Sequence, residues 1–211
     1  MTRLSSAGLL VLHAVRVLGF GEPVAVAQRY GLDPDETASL MLDGEARGWV
    51  TYTSFGGLGG WSLTASGRAE NERELAAELD RAGVRAEAGE VYRAFLPLNA
   101  RLQRACTDWQ LRPGPGDPLA ANDHGDAAWD AAVLDELTAV SQGLVPLASR
   151  LEGVLARFRG YDRRFTAALR RAQAGEHGWV DRTDVDSCHR VWFELHEDLV
   201  ATLGIDRGAE V

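Results

Sequence analysis

Lysine is absent from the 211-residue sequence, so all 22 basic residues are arginines. Together with the heavy use of alanine, glycine and leucine, this indicates a GC-rich coding sequence and says little about function. No stretch approaches the roughly 18 consecutive apolar residues that a membrane-spanning helix needs, and the N-terminal residues lack a signal-peptide cleavage pattern. These absences predict a cytoplasmic protein that does not enter a membrane.

Cysteine is also scarce, since the chain has only Cys106 and Cys188, far apart in the sequence. Neither belongs to a C-x-x-C pair, and no H-E-x-x-H spacing occurs, so no zinc or redox motif is indicated. We therefore expect two small, buried, reduced side chains, and we expect no metal and no cofactor.

Basic charge is in deficit, because 31 acidic residues against 22 arginines give a net charge of −9. Apolar residues make up 45% of the chain and charged residues 25%, which is typical of a soluble globular protein with one large or two small domains. Binding to a nucleic acid backbone needs clustered cations. The charge balance alone does not favour it, although the local distribution matters more than the sum.

The first 48 residues predict three short helices. Ser5 or Ser6 is placed to cap the first, and Pro23 fits the first turn of the second, which Gly31 ends. The third begins at Asp33-Pro34-Asp35-Glu36, a capping box, and stops at Gly48.

A strand, a glycine-rich turn and a return strand are predicted next, over residues 49–53, 55–60 and 61–63. Thr64 is placed to cap a fourth helix. Three helices, a hairpin and another helix are the order of a winged helix-turn-helix. We therefore predict a mainly α protein, with a winged helix-turn-helix domain over residues 1–75 and an all-helical bundle domain over residues 76–211.

The outward face of the third helix is predicted to be acidic, which is unfavourable for binding DNA. Its predicted inward positions are Thr37, Leu40, Met41 and Gly44, and its outward positions are Asp35, Glu36, Ser39, Leu42 and Asp43. In a helix-turn-helix this outward face enters the major groove. Residues 1–70 carry five arginines against seven acidic residues, and the wing contains no arginine. If duplex DNA is bound, the contacting residues are expected to be Ser39, Arg29 and Arg47.

The second half predicts helices separated by a proline- and glycine-rich loop at residues 113–118. Residues 71–112 continue a helical pattern that Pro97 is expected to kink or divide. Further helices are expected over residues 127–140, 144–158, 163–174 and 186–203.

Several phrases of the sequence are similar to a known family. "GLDPDETASLMLDGEARGWV" and "WSLTASGRAE" resemble MarR-related winged helices, and "TDWQLRP", "NDHGDAAWDAAVL" and "VDSCHRVWFELHEDLVATLG" resemble MarR-like putative regulators common in actinomycetes. A similar helical region is also appended to some phosphoenolpyruvate-utilising enzymes. The resemblance covers nearly the whole chain. It implies a transcriptional regulator, without a known ligand or reaction.

Polar and aromatic residues of the second half form the candidate ligand site. His189 and His196 lie about 20° apart on one helical face, and Asp186 is one turn before His189. Asp123 and His124 follow the flexible loop and are expected to approach that face. The candidate catalytic residues are Asp123, His124 and His189; the candidate ligand-binding residues are Arg101, Asp108, Trp109, Arg112, Asn122, Asp123, His124, Asp186, His189, Trp192 and His196.

These residues leave several interpretations open. They fit metal binding, acid–base chemistry by a His–Asp pair, binding of a polar or anionic small molecule, or polar packing with tryptophans in the core. The first hypothesis is a cytoplasmic, homodimeric regulator whose helical domain senses a small molecule. The second is a winged-helix derivative that has lost DNA binding and uses its polar cleft for catalysis or metabolite binding. A third is an accessory domain for a phosphotransfer enzyme.

Overall fold

The computed structural model describes residues 2–114 and 116–205, and it is 70% helix and 8% strand. The mainly helical fold with a two-stranded sheet is therefore confirmed. Residues 206–211, which sequence analysis assigns to the second domain, lie outside the described residues. None of the described helices is both long enough and apolar enough to cross a membrane.

The order of elements follows the predicted order through the first 82 residues. The elements are α1 (Ala7–Leu18), α2 (Pro23–Tyr30), α3 (Pro34–Ala46), β1 (Val50–Phe55), β2 (Leu58–Leu63), α4 (Ala65–Ala82), α5 (Arg85–Gln110), α6 (Ala127–Val154), α7 (Tyr161–Gln173) and α8 (Cys188–Leu203). Two single turns of 3₁₀ helix lie at Ala156–Phe158 and His177–Trp179.

Helix ends in the first half form where the caps predict them. Ser6 Oγ accepts from the Leu9 N–H at 3.3 Å, and Asp33 Oδ1 accepts from the N–H groups of Asp35 and Glu36 at 3.0 and 2.9 Å. Gly31, at φ +66°, ends α2 in a left-handed conformation.

The hairpin is tighter than the predicted six-residue turn. Strands β1 and β2 pair antiparallel from Val50 with Leu63 to Phe55 with Leu58, which leaves Gly56-Gly57 as a two-residue turn at positive φ. Gly59 and Gly60 belong to β2 instead. A Cβ on Gly59 would meet Tyr52 Oη at 2.0 Å, and one on Gly60 would meet the Phe20 ring at 2.6 Å, so both positions need glycine for close packing.

Helix breaks in the second half differ from the predicted ones. The pattern over residues 71–112 divides at Gly83, where φ is +68° and the N–H bonds to the carbonyls of Leu79 and Asp80, while Pro97 lies inside the continuous α5. Likewise α6 runs through Pro146 where a break near residue 141 was predicted. A proline removes one helical hydrogen bond, and the tertiary packing of both helices outweighs that loss.

The chain divides into two compact units, each partly discontinuous in sequence. Of the described residues, the first contains 2–88, 152–157 and 194–205, and the second contains 89–114, 116–151 and 158–193. The first unit thus extends beyond the predicted boundary at residue 75 and includes the C-terminal part of α8. The reason is packing, since Leu9, Leu75 and Ala201 form one buried cluster.

The second unit is centred on aromatic packing. Trp192 is 2% exposed, stacks on Phe95 at 4.8 Å between ring centroids, and meets Phe165 edge-on at 5.7 Å. Cys106 and Cys188 are buried and free, as expected, and burial raises the pKa of both thiols to about 12. Both thiols therefore stay protonated at neutral pH.

The first unit contains a buried network of charged groups. Arg157 donates to Glu78 Oε2 at 3.0 Å, to Thr202 Oγ1 at 2.7 Å and to Asp198. His13 Nε2 lies 3.0 Å from Asp198 Oδ1, and both side chains have no exposed surface. The network connects α1, α4, α8 and the Ala156–Phe158 turn by charge-assisted hydrogen bonds.

We expect this network to make folding stability depend on acid pH. Burial alone would raise the pKa of Asp198, but the charges of Arg157 and His13 outweigh it and hold that pKa well below its ordinary value. A depressed pKa contributes stability that is complete above the unfolded value of about 3.9 and is lost as the pH falls through the folded value. Denaturant titrations below about pH 4 should therefore give a falling free energy of unfolding.

Comparing variants isolates the contribution of Asp198 to the pH dependence of the free energy of unfolding. Asp198→Asn should flatten the acid slope by up to about 1.4 kcal/mol per pH unit, the effect of one proton. The exposed Asp135→Asn is the matched control and should keep the wild-type slope. Equal slopes in all three proteins would contradict a depressed pKa for Asp198.

Candidate functional site

The exposed face of α3 is acidic in the folded protein. Thr37, Met41 and Gly44 are buried as predicted, and Leu40 packs against the same core. The exposed side includes Asp35, Glu36, Asp43 and Glu45, together with Ser39 and a 58% exposed Leu42. No residue of α3 is basic. This surface repels a phosphate backbone and offers no side chain for bidentate contact with guanine.

The three residues expected at DNA lie in different surroundings. Ser39 is exposed on α3. Arg47 is exposed after α3, with its guanidinium 4.8 Å from the centre of the Trp49 ring. The Arg29 side chain is only 5% exposed and lies 3.3 Å from the buried Glu194. The structure thus corrects the expectation for Arg29, which cannot reach a duplex without leaving a buried ion pair.

The clearest convergence of polar groups is in the second unit, where the chain after α5 folds back on that helix. The N–H of Arg112 bonds to the carbonyl of Ala120 at 2.9 Å, and the N–H of Asn122 bonds to the carbonyl of Gln110 at 2.8 Å. This return places residues 122–124 beside Trp109, in the last turn of α5.

Asn122 and Asp130 fix the imidazole of His124. His124 Nδ1 lies 2.9 Å from Asp130 Oδ2, while the Asn122 amide donates to Asp130 Oδ1 at 2.9 Å and to the Trp109 carbonyl at 3.1 Å. Asn122 Oδ1 accepts from the His124 N–H at 3.1 Å. His124 itself has φ +56°, a conformation that costs a non-glycine residue energy. The surroundings hold it there through these bonds.

A second imidazole contacts both the His124 ring and the indole of Trp109. His177, in the short 3₁₀ turn after α7, has its ring centre 4.6 Å from that of His124 and 5.5 Å from that of Trp109. The Trp109 and His124 rings are 4.6 Å apart. Trp109 is 2% exposed, His124 is partly exposed and His177 is exposed. We call His124, Asp130 and His177 the His–Asp–His cluster.

This cluster has defined chemical capacities. A carboxylate bound to one nitrogen of an imidazole fixes its tautomer and leaves the other nitrogen for acid–base work or for ligation. One donor atom from each of the three side chains lies within 4.8 Å of the others. The partial exposure of both histidines leaves a small polar molecule or an ion a path to them.

Arg101 and Asp108 line a separate cleft in the second unit. It has a volume of about 220 Å³ and is also lined by Trp129 and Glu136. Arg101 donates to both carboxylate oxygens of Glu136 at 2.6 and 3.0 Å, which lowers the pKa of Glu136. Trp129 donates to the Asp108 carbonyl at 2.7 Å. The first contact pairs the Arg101 guanidinium with a carboxylate, and both contacts hold α5 against α6.

Other candidates have local structural roles. Arg112 pairs with Asp126 at 2.6 Å, and Asp123 accepts from the Gly125 N–H at 2.9 Å in a tight turn. Asp186 pairs with Arg164 at 2.5 Å.

The predicted face of α8 is divided between the two units. His189 is exposed in the second unit, whereas His196 belongs to the first. Trp192, between them in sequence, is a core residue whose indole N–H donates to Asn99 Oδ1 at 2.9 Å.

Sequence reasoning identified Trp109, Asn122 and His124 but missed two members of the site. Asp130 lies one turn after Asp126, whose carboxylate caps α6, so an inward acid there had a readable position. His177, in Glu176-His177-Gly178-Trp179, had no signal beyond its residue type, because its partners lie about fifty residues earlier.

Comparison with known proteins yields no match among family models, curated proteins or solved structures.

Proposed function

We propose that this protein is a winged-helix derivative whose binding function resides in the second unit. The order of α1 to α4 around a hairpin supports a winged helix of the MarR-like type, as does the three-residue turn of residues 31–33 between α2 and α3. An isolated bridge between Gly21 and Trp61 adds the short third strand segment that such domains contain.

A single observation carries the proposal that α3 is not a reader of duplex DNA: its exposed face has four carboxylates and no cation. Each carboxylate would approach phosphates of the same sign, in a groove where negative potential is high. Arg29, the nearest arginine preceding α3, is held inside by Glu194. The winged helix then serves as a packing module, since the fold does not by itself confer a function.

The function that the geometry supports best is binding of a small polar ligand at the His–Asp–His cluster. Two imidazoles and one carboxylate offer hydrogen bonds in one place, and the buried indole of Trp109 packs against both imidazoles. The oriented pair of His124 and Asp130 also suits proton transfer to such a ligand.

A DNA-binding regulator is the second candidate, favoured by the helix-turn-helix order and by the exposed Arg47 at the base of the hairpin. In that case the helical unit would sense the ligand. The two candidates differ in whether the first unit binds duplex DNA, so a titration with DNA separates them.

The test is fluorescence anisotropy with the DNA upstream of the coding sequence and with a random duplex, at low salt. We expect no preference for the upstream DNA. The triple variant Asp35→Asn, Glu36→Gln, Asp43→Asn should bind both duplexes several-fold more tightly than wild type, because three like charges are removed from the docking face.

Neutralising three exposed acids elsewhere is the control for net charge. Asp117→Asn, Asp135→Asn, Asp184→Asn makes the same charge change in the second unit and should leave affinity close to that of wild type. Binding of wild type to the upstream DNA that is tight, salt-dependent and stronger than to the random duplex would overturn the proposal and establish the regulator.

A further inference from the structure

The donor atoms of the His–Asp–His cluster suit a metal ion better than they suit an organic ligand alone. Resting on the proposed function, we propose that His124, Asp130 and His177 bind one divalent transition-metal ion of the Zn²⁺ or Co²⁺ type. The ion would have three protein ligands and a position open to water or a small anion. Sequence analysis expected no metal, because these ligands follow no fixed spacing.

The residue types select the class of ion. Imidazole nitrogens suit zinc, cobalt, nickel and copper, whereas magnesium and calcium prefer sets made only of oxygen ligands. Two histidines and one carboxylate are also the donor set of several zinc sites that keep an open coordination position. Carboxylates alone would not favour these transition metals over magnesium or calcium.

The distances are within reach of coordination. Donor atoms bound tetrahedrally at about 2.0–2.1 Å from zinc lie roughly 3.3 Å apart, whereas the present donors lie within 4.8 Å of one another. Closing this difference requires a shift of about 1.5 Å at most. His177 can supply it, because its side chain is exposed and its turn contains Gly175 and Gly178 on either side.

The surrounding groups already orient the ligands. The Asn122 amide holds Asp130 Oδ1, which leaves Oδ2 directed at His124 Nδ1, and an ion that replaces the proton shared by these two atoms would be bound by both. The Trp109 ring packs against both imidazoles and excludes water from one side. Such outer partners fix ligand orientation in metal sites, and their removal typically lowers affinity about 10–100-fold.

Bringing two imidazoles together also favours a cation between them. With ring centres 4.6 Å apart, both imidazoles can direct a nitrogen lone pair at one ion. A bound divalent ion uses both lone pairs, and the Asp130 carboxylate compensates part of its charge.

The experiment is calorimetric titration of Zn²⁺ into the full chain, free of any histidine tag and dialysed against a chelator. We expect one ion per chain. His177→Ala should weaken binding by more than about 100-fold, beyond the usual effect of an outer partner, and Asn122→Ala by about 10–100-fold. His177 is exposed, so the alanine variant should fold normally.

His189→Ala is the matched control, because it removes an exposed histidine of the same unit outside the cluster. It should bind Zn²⁺ as wild type does. Titration with Co²⁺ gives a second readout: wild type and His189→Ala should show the visible absorption of four-coordinate cobalt, and His177→Ala and Asp130→Asn should not.

Two results would overturn the inference: no stoichiometric binding by wild type, or equal binding by wild type and His177→Ala. Neither result affects the DNA titration, which tests the proposed function through α3. Binding of small metabolites that is lost in His124→Ala, without any Zn²⁺ binding, would overturn the metal while retaining the ligand site. Specific DNA binding by a protein that also binds Zn²⁺ at the cluster would overturn the proposed function while retaining the metal site.

Discussion

Replacing Arg157 by Met is expected to lower the free energy of unfolding by about 3–5 kcal/mol. The Arg157 guanidinium is fully buried and donates to Glu78, Asp198 and Thr202. Methionine fills much of the same volume but leaves two buried carboxylates without their cation, and that loss is the main cost. Urea or guanidinium denaturation followed by circular dichroism measures the change.

The control is the exposed ion pair of Arg182 and Asp184, whose side chains are 60% and 62% exposed. Arg182→Met should leave the free energy of unfolding almost unchanged, since solvent screens this pair. Similar losses in the two variants would show that the Arg157 network contributes no more than a surface pair.

Trp192→Ala is expected to cost about 3–5 kcal/mol, the usual range for removing a buried tryptophan. The indole is 2% exposed between Phe95 and Phe165, and its N–H donates to Asn99. Truncation opens a cavity and leaves the Asn99 oxygen without this donor. Thermal or chemical denaturation of the full chain measures the loss.

The same position separates a core role from the ligand role that the sequence suggested. Trp192→Phe keeps most of the packing and should destabilise far less, with Zn²⁺ affinity equal to that of wild type. A large loss of affinity in the folded Trp192→Phe protein would return Trp192 to the binding site. Because Trp192 is buried among the aromatic rings of the second unit, we expect the Trp192→Phe protein to keep the Zn²⁺ affinity of wild type.

Local chemistry made the first half of the fold predictable. Ser6, Asp33 and Thr64 cap helices in the structure as their residue types indicate, and Gly31 ends α2. The length of the hairpin turn was less predictable, because Gly59 and Gly60 are of a residue type that is typical of turns. They belong to a strand only because Tyr52 and Phe20 cover them, which sequence does not reveal.

Helix breaks in the second half depended on tertiary context. Pro97 is a stronger local breaker than Gly83, yet Gly83 is where the chain turns. The composition of the first compact unit also depends on tertiary context. Residues 194–205 pack with α1 and α4 through contacts such as Arg16 with Glu197 at 2.7 Å, which join positions 181 residues apart.

The site was predictable in part. Trp109, Asn122 and His124 are rare residue types around an obvious loop, so attention to that loop was justified. Asp130 and His177 join them through the return of the chain after α5 and the turn after α7. His189 and His196 lie about two turns apart on α8, as the sequence predicts. They nevertheless belong to different compact units.

Arg29 illustrates the limit of charge counting. A basic residue just before a recognition helix is a reasonable DNA contact, and nothing nearby in sequence argues otherwise. Its side chain is buried beside Glu194, which lies on the last helix, 165 residues later in the sequence. This distant ion pair removes a cation from the surface near α3, so the acidic residues of α3 determine the charge of that surface.

We propose that the His–Asp–His cluster, and not the face of α3, is the binding surface of this protein. An amide chemical-shift map of the ¹⁵N-labelled chain titrated with Zn²⁺ tests it most directly. We predict saturable shifts at residues 109, 122–130 and 176–179, with none along α3. Shifts concentrated at Asp35, Glu36, Asp43 and Glu45, with an unperturbed cluster, would contradict the account.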